Sequence, residues 1–416
     1  MKKALFTLLC VLSLGGIVPA WCCTSIIISS KFTSDGRPVM YKNRDTGKLD
    51  NRMQYFKGPL YTFIGLVNSD FDENEVWAGT NSAGFCIMNT AAYNFKEDKV
   101  PDSKMDKEGV LMFKALGLCR TVADFEKLLD TLQRPMGVEA NFGVIDSHGG
   151  AAYYEVNNTR WIKINVNEDP SGYRVVTNFC SNGRKEDYKG YERYLTASAI
   201  MSEMCEGKSR TDIGHSELYN CLSRSYRNVT MGVDFDGHYD AYASVPGFTG
   251  FTADQDFIPR LSTSAAVVFE GVVPETDPSK TVMWSLIGYP SCSVSIPLVV
   301  GKDDCIPSYM KRSSDNRHSQ MGDIAMRIKN SFVFPKKVSN GSRYVNVAAV
   351  LRGDEIHPSL VECCRRTESF INNLFTELYE KWENKEISDA EFYSRYRVQS
   401  GLYYEKYRAE FSPFIE

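Results

Sequence analysis

The sequence predicts an α+β protein in which two antiparallel sheets lie face to face with helices on the outside. Three observations lead to this fold class. Short β-prone runs occur in pairs joined by turn residues, helical periodicity appears between the pairs, and the last hundred residues are mostly helical. Strand pairs with intervening helices are typical of layered α+β domains.

The strand pairs can be followed along the chain. The runs "TSIIISSKF" and "PVMYKNRD" are joined by the turn signal Ser34-Asp35-Gly36 and predict a hairpin. The stretch "NFGVIDSHGGAAYYEV" predicts a second hairpin with its turn at 146–150. "GYRVVTNF" adds a strand, and "STSAAVVFEGV" followed by "KTVMWSLIGYP" adds a further pair.

Helical periodicity predicts helices over residues 108–132 and 190–205. From about residue 317 the character changes, and the stretch from "LVECCRRTESF" onwards is helical and almost free of Gly and Pro. We therefore expect a layered domain over residues 23–316 and a helical C-terminal extension over 317–416 that packs on it.

The first 22 residues have the features of a secretory signal. Lys2 and Lys3 precede an apolar run over residues 4–18 that is short for a membrane span. Cleavage after Cys22 would make Cys23 the new N-terminus, whereas cleavage after Ala20 would leave a two-residue stub for the protein itself to remove. The sequence therefore predicts export, to the periplasm or the medium, through a cleaved leader.

The composition excludes several classes of function. The chain of 416 residues is 43% hydrophobic and 24% charged with a net charge of −4, as in an ordinary soluble protein. Lys and Arg are dispersed, which argues against nucleic acid, and no later apolar run is long enough to span a membrane. Neither the twelve cysteines nor the five histidines show metal-site spacing, so no metal and no cofactor is predicted.

The chemistry that the sequence offers lies at Cys23. A thiol at a mature N-terminus has its own α-amino group beside it, and an α-amine with a pKa near ~8 is a usable base near neutral pH. One residue would then supply both nucleophile and base. On position alone, a buried strand cysteine or half of a disulfide remains an equal alternative.

From Cys23 onwards, "CTSIIISSKFTSDGRPVMYKNRD" resembles the mature N-terminus of choloylglycine hydrolases and other linear amide C–N hydrolases, and also that of the isopenicillin N acyltransferase-like group. The resemblance continues through "TNSAGFCIMNTAAYN", "VVTNF", "IPRLSTSAAVVFEG" and "WSLIGYP" to about residue 300. It implies an N-terminal nucleophile (Ntn) hydrolase with a four-layer αββα sandwich. It also implies that Cys23 attacks a linear amide and that Cys22 is discarded.

The resemblance also implies roles for particular residues of the site. Asn89 in "IMNTA" and Asn178 in "VVTNF" match the oxyanion-hole asparagines, whose amides stabilise a tetrahedral intermediate. Asp45 matches the carboxylate that holds the α-ammonium of the nucleophile. Arg260 in "FIPRLSTS" matches the second site arginine, which would steady the nucleophile or a substrate carboxylate.

The sequence departs from the family pattern at one position. The family has an arginine three residues before the aspartate, whereas this chain has Lys42 there and Arg44 directly before Asp45. Strand alternation puts Lys42 and Arg44 on one face and Asp45 on the other. We therefore expect a β-bulge or a strand end at this point, unless only one of the two bases joins the site.

Several functions remain compatible with these residues. Besides hydrolysis of a linear, non-peptide or terminal amide, they fit acyl transfer to an amine, a cysteine dipeptidase of the Ntn type, and a secreted binding protein that kept the fold without the chemistry. The expected partner is a small-molecule amide, such as an N-acyl amino acid, an acylated amine, a bile-acid conjugate or a β-lactam precursor. The sequence leaves homo-oligomerisation open.

Overall fold

A computed structural model describes residues 23–70, 74–336 and 343–415. The predicted leader and its cleavage site lie outside the described residues. Among those that are described, no helix combines the length and the apolar composition that a membrane crossing requires.

Seventeen strands occur in the described ranges, most of them short. In chain order they are β1 (Thr24–Ile28), β2 (Val39–Asp45), β3 (Asn51–Lys57), β4 (Thr62–Asn68), β5 (Ala78–Asn81), β6 (Cys86–Ala91), β7 (Ala140–Ile145), β8 (Ala151–Val156), β9 (Trp161–Asn165), β10 (Tyr173–Val176), β11 (Arg227–Asn228), β12 (Val233–Asp234), β13 (Phe251–Ala253), β14 (Thr263–Glu270), β15 (Val282–Ile287), β16 (Ile296–Val299) and β17 (Tyr344–Asn346).

Two large antiparallel sheets contain most of these strands. The first sheet has six strands in the order β10-β1-β2-β14-β15-β16, and the second is a seven-stranded meander from β3 to β9. The predicted hairpins are confirmed as β1-β2, β7-β8 and β14-β15, and the predicted strand "GYRVVTNF" is β10. Gly36, with a φ of 74°, occupies the predicted turn, where a left-handed backbone suits glycine.

Ten α-helices surround the sheets in the described part of the chain. They are α1 (Glu108–Leu118), α2 (Val122–Thr131), α3 (Tyr191–Cys205), α4 (His215–Leu218), α5 (Phe235–Ala243), α6 (Gln320–Ile328), α7 (Val347–Leu351), α8 (Leu360–Glu383), α9 (Asp389–Glu410) and α10 (Ser412–Ile415).

The helix predicted over residues 108–132 is in fact two helices, so that prediction was wrong at its centre. The first helix ends at Leu118 with Cys119 as its C-cap. Thr121 caps the second, because its side chain accepts a hydrogen bond from the Asp124 backbone while the Asp124 carboxylate accepts one from the backbone N–H of Thr121. Apolar periodicity alone predicts one continuous helix here, whereas this reciprocal cap begins a new one.

The two sheets pack face to face, and each is covered by helices on its outer face. Along β4, Ile64 and Leu66 belong to the core shared with the first sheet, whereas Phe63 and Val67 pack with α1 and α2. Helices α3, α4 and α6 contact the outer face of the first sheet. The α+β fold class is therefore confirmed, with its layers in the order helix, sheet, sheet, helix.

The C-terminal helices share the core of the first sheet. Arg224 and Glu368 of α8 form a buried bidentate ion pair at 2.7 and 2.8 Å. Ser359 and Ser388 cap α8 and α9. The predicted extension over 317–416 is mostly helical but also contains β17, which pairs with β13. A domain boundary at residue 316 stays a prediction.

Candidate active site

Cys23 stands directly before β1, at the first described residue, and is buried. The β1-β2 register pairs Thr24 with Asn43 and Ser25 with Lys42, so Cys23 falls opposite Arg44. Paired residues of neighbouring strands share a face. The thiol therefore lies on the face that carries Lys42 and Arg44, which is turned towards the second sheet.

Lys42 links the two sheets. Its buried ammonium donates hydrogen bonds to the main-chain oxygen of Trp77 at 2.7 Å and to Oδ1 of Asn89 at 2.8 Å. The register pairs Ala78 with Met88, which brings Trp77 beside Asn89. Burial lowers the pKa of Lys42 to about 8, although the nearby Cys23 acts in the opposite direction.

The contact with Lys42 fixes the orientation of the Asn89 amide. An ammonium group only donates, so the atom facing it must be the carbonyl oxygen of the amide. The NH₂ group of Asn89 then points away from Lys42, and among the described residues it meets no acceptor. Asn89 is thus a buried, oriented donor, which is the property that an oxyanion hole requires.

Arg44 is the second cation on the face of the thiol. Its guanidinium donates to Oδ1 of Asn51 at 2.5 Å and to Oδ1 of Asn68 at 2.9 Å, and it lies 5.2 Å from the centre of the Trp77 ring. Burial lowers the pKa of Arg44 to about 10, so it remains charged at neutral pH. The structure therefore brings both basic residues to the side of Cys23.

Asp45 lies on the opposite face, as strand alternation predicts. Its carboxylate accepts hydrogen bonds from Asn43 at 3.0 Å, from Thr263 at 2.7 Å and from Nε of Arg260 at 3.0 Å. Burial raises its pKa, and the charge of Arg260 opposes that rise. The predicted contact with the α-ammonium of Cys23 concerns a mature N-terminus and stays a prediction.

The irregularity expected near Asp45 lies on the neighbouring strand. The β2-β14 register shifts between Thr263 and Ala265, opposite Asp45 and Arg44. This bulge lets Thr263 bond to Asp45 while Ser264 contacts Arg44 from the other side.

Asn178 is placed differently from Asn89. It is fully buried just after β10, where its Oδ1 accepts a hydrogen bond from Arg193 at 3.0 Å and its Nδ2 donates to the main-chain oxygen of Ala91 at 2.8 Å. Both ends of this amide are held by the protein. Its role in an oxyanion hole stays a prediction.

Sequence reasoning missed Arg193 and Asp256. Arg193 donates to the main-chain oxygen of Cys23 at 2.9 Å, and Asp256 pairs with both Arg193 and Arg260. A signal for Arg193 was present, because the arginine interrupts the otherwise uncharged buried stripe of α3 that includes Ala197 and Ile200. Asp256 lies in a loop and offers no comparable pattern.

One cluster in the described ranges has the ligand types of a metal site. His318 Nδ1 lies 3.0 Å from the Asp323 carboxylate and 3.7 Å from that of Asp50. None of these residues belongs to the cluster around Cys23. The ten cysteines that the structure describes are free thiols, Cys23 among them.

Comparison with known proteins adds similarities of structure. No family model matches the chain, and no curated protein matches it. Its structure is similar to an N-acylethanolamine-hydrolyzing acid amidase ortholog from Caenorhabditis elegans, with 15% identity over 67% of this chain and 100% of that one and a TM-score of 0.41. It is also similar to a variant of conjugated bile acid hydrolase from Clostridium perfringens, with 12% identity over 68% of this chain and 93% of that one and a TM-score of 0.41. A third similarity is to penicillin V acylase from Agrobacterium tumefaciens, with 14% identity over 66% of this chain and 86% of that one and a TM-score of 0.35.

Proposed function

We propose that the chain is an exported cysteine amidohydrolase that cleaves linear amide bonds, with Cys23 as its N-terminal nucleophile. The observation that carries this proposal is the group formed by Cys23, Lys42 and Asn89. A thiol at the start of β1 shares its face with a buried ammonium, and that ammonium orients an amide whose NH₂ group meets no acceptor among the described residues.

The α-amine of a mature Cys23 takes the thiol proton, and the sulfur adds to the substrate carbonyl carbon. The resulting oxyanion accepts a hydrogen bond from the NH₂ group of Asn89. The C–N bond then breaks, and the leaving nitrogen takes the proton back from the α-ammonium. Water, giving a proton to the α-amine, attacks the thioester and releases the acid with the thiol restored.

The charges around the thiol suit this sequence of steps. Lys42 and Arg44 both favour a negative sulfur, and both are buried, where charges interact more strongly than in water. On the other face, Arg260 and Asp45 form a partly buried ion pair next to the strand that begins at Cys23. The main-chain oxygen of Asp45 lies 3.9 Å from the sulfur.

We propose a small-molecule substrate in which an acyl group is joined to an amine or an amino acid. N-acyl amino acids, acylated amines and bile-acid conjugates all present such a bond. The proposal places the enzyme outside the cytoplasm, because the leader predicted from Lys2 and the apolar run over 4–18 precedes the nucleophile.

Mass spectrometry of the exported protein tests the mechanism. The intact mass should show a chain that begins at Cys23, and the purified protein should hydrolyse members of a panel of N-acylated amines and amino acids. Cys23→Ala should abolish turnover, whereas Cys221→Ala, which changes an exposed cysteine, should leave it within twofold. Active protein that starts before Cys23, or a Cys23→Ala variant that keeps its activity, would overturn the proposal. Measuring the ratio of free acid to N-acylated product when an amino acid is added to the same assay as acceptor separates hydrolysis from acyl transfer.

A further inference from the structure

Arg193 of α3 holds the backbone of the proposed nucleophile. Its Nη1 donates to the main-chain oxygen of Cys23 at 2.9 Å and to Oγ1 of Thr24 at 3.1 Å, and its Nη2 donates to Oδ1 of Asn178 at 3.0 Å. The side chain is fully buried. A single guanidinium fork therefore connects the nucleophile residue to one of the two predicted oxyanion asparagines.

Asp256 connects Arg193 to the charged residues on the opposite face of the first sheet, Arg260 and Asp45. Its Oδ1 lies 3.1 Å from Nε of Arg193, and the same oxygen accepts a hydrogen bond from Nη1 of Arg260. Arg260 in turn donates to Asp45 at 3.0 Å. Asp45, Arg260, Asp256 and Arg193 thus form an unbroken chain of ion pairs that ends at Cys23.

The start of α3 is shaped to admit the arginine. Gly190 precedes the helix with a φ of 75°, and a Cβ on it would lie 2.2 Å from Nη2 of Arg193. Thr177 donates to the main-chain oxygen of Gly190 at 3.1 Å, which ties this turn to the residue before Asn178. Glycine is required here both for its backbone angle and for the space that the guanidinium occupies.

We propose that Arg193, held by Asp256, is a positioning residue of the cysteine amidase: it fixes the main chain of Cys23 relative to Asn178 and supplies a positive charge beside the nucleophile. This inference rests on the proposed function. The backbone nitrogen and oxygen of one residue are only about 3 Å apart, so the guanidinium lies close to the α-amine of a mature Cys23 as well as to its carbonyl.

The charge of Arg193 acts together with the other charged groups that face Cys23. Lys42 and Arg44 reinforce it from the face of the thiol. On the opposite face, the carboxylates of Asp45 and Asp256 balance it, and Arg260 lies between them. Removing the cation of Arg193 should disfavour the thiolate, and removing the anion of Asp256 should favour it, because each changes the local charge by one unit in opposite directions.

Two variants with opposite expected effects test this inference. Arg193→Met removes the cation at similar volume. Asp256→Asn removes the anion and keeps a residue that tolerates the φ of 56° observed at this position. The probe is iodoacetamide, and the rate of Cys23 alkylation is followed against pH by mass spectrometry of the N-terminal peptide. Arg227→Gln is the matched control, because Arg227 of β11 forms an ion pair with the exposed Glu203 of α3.

The midpoint of the alkylation profile should move up by about 0.5 to 1 pH unit in Arg193→Met and down by a similar amount in Asp256→Asn. Arg193→Lys keeps the charge but lacks the fork, so it should keep the midpoint while turnover falls at least tenfold. The control should leave both unchanged. If Arg193→Met fails to fold, the alkylation midpoint of Asp256→Asn still tests the inference. If Cys23→Ala is inactive but the alkylation midpoints of Arg193→Met and Asp256→Asn shift in the same direction, or do not shift, the inference about Arg193 is wrong and the proposed function stands. If Cys23→Ala is active, the proposed function itself is wrong.

Discussion

Asn89→Asp is the most direct test of how the site works. The two side chains have nearly the same shape, so the buried Lys42 ammonium, 2.8 Å from Oδ1 of Asn89, gains a carboxylate partner in place of an amide oxygen. Folding should therefore be preserved. The NH₂ group, however, is lost, and a second acceptor stands where the proposed oxyanion needs a donor.

The size of the effect follows from that single lost donor. Removing one preorganised donor from an oxyanion hole typically lowers turnover by about 10²- to 10³-fold, or roughly 2.7–4 kcal/mol. The new negative charge opposes the oxyanion further, so we expect a loss at the upper end of this range. The effect should appear in kcat, because charge on the oxygen develops only in the transition state.

Turnover of an N-acylated substrate found in the activity screen provides the assay, with thermal unfolding measured in parallel. Asn68→Asp is the control, because it places a carboxylate beside the other cation, Arg44, which donates to Oδ1 of Asn68 at 2.9 Å. We expect that control to lose less than about tenfold. If Asn89→Asp kept turnover within threefold of the unmodified protein, Asn89 would not be the oxyanion donor.

Three further perturbations have expected outcomes. In a profile of kcat against pH, turnover should fall above about pH 8, where the buried Lys42 loses its proton. Lys42→Arg should move this fall to higher pH. Glu368→Gln should lower the free energy of unfolding in urea by about 3–5 kcal/mol, because it leaves the buried Arg224 without its anion. His215 and Glu270 should make stability depend on pH. Burial opposes both charges, yet their contact at 2.8 Å raises the pKa of His215 and lowers that of Glu270 to about 2. The melting temperature should therefore fall as the pH drops from 4.5 towards 2, and again as it rises through the raised pKa of His215; His215→Gln should flatten the second limb.

Local patterns predicted the part of the site that lies on one strand. The alternation of Lys42, Arg44 and Asp45 follows from the two-residue period of a β-strand, and the structure places them accordingly. The hairpins around residues 34–36 and 146–150 were likewise predictable, because glycine and aspartate turns separate the β-prone runs.

The remaining parts depend on contacts between distant segments. Strands β3 to β6 and β9 were not predicted, because their alternation of apolar and polar residues is weak. They form because the meander buries both faces against neighbouring layers. Arg193 reaches Cys23 across 170 positions of sequence, and Asp256 acquires its two arginines only when α3 packs on the first sheet. No local pattern specifies such a meeting.

Lys42 belongs to the first sheet and Asn89 to the second, and this division has a consequence for when the protein becomes reactive. A chain whose sheets have formed but not docked has a cysteine without its neighbouring amide donor, and an amide without the ammonium that turns it. The proposed site is therefore complete only after tertiary assembly. A newly made chain would therefore show no turnover until its sheets have docked, and turnover would report sheet docking.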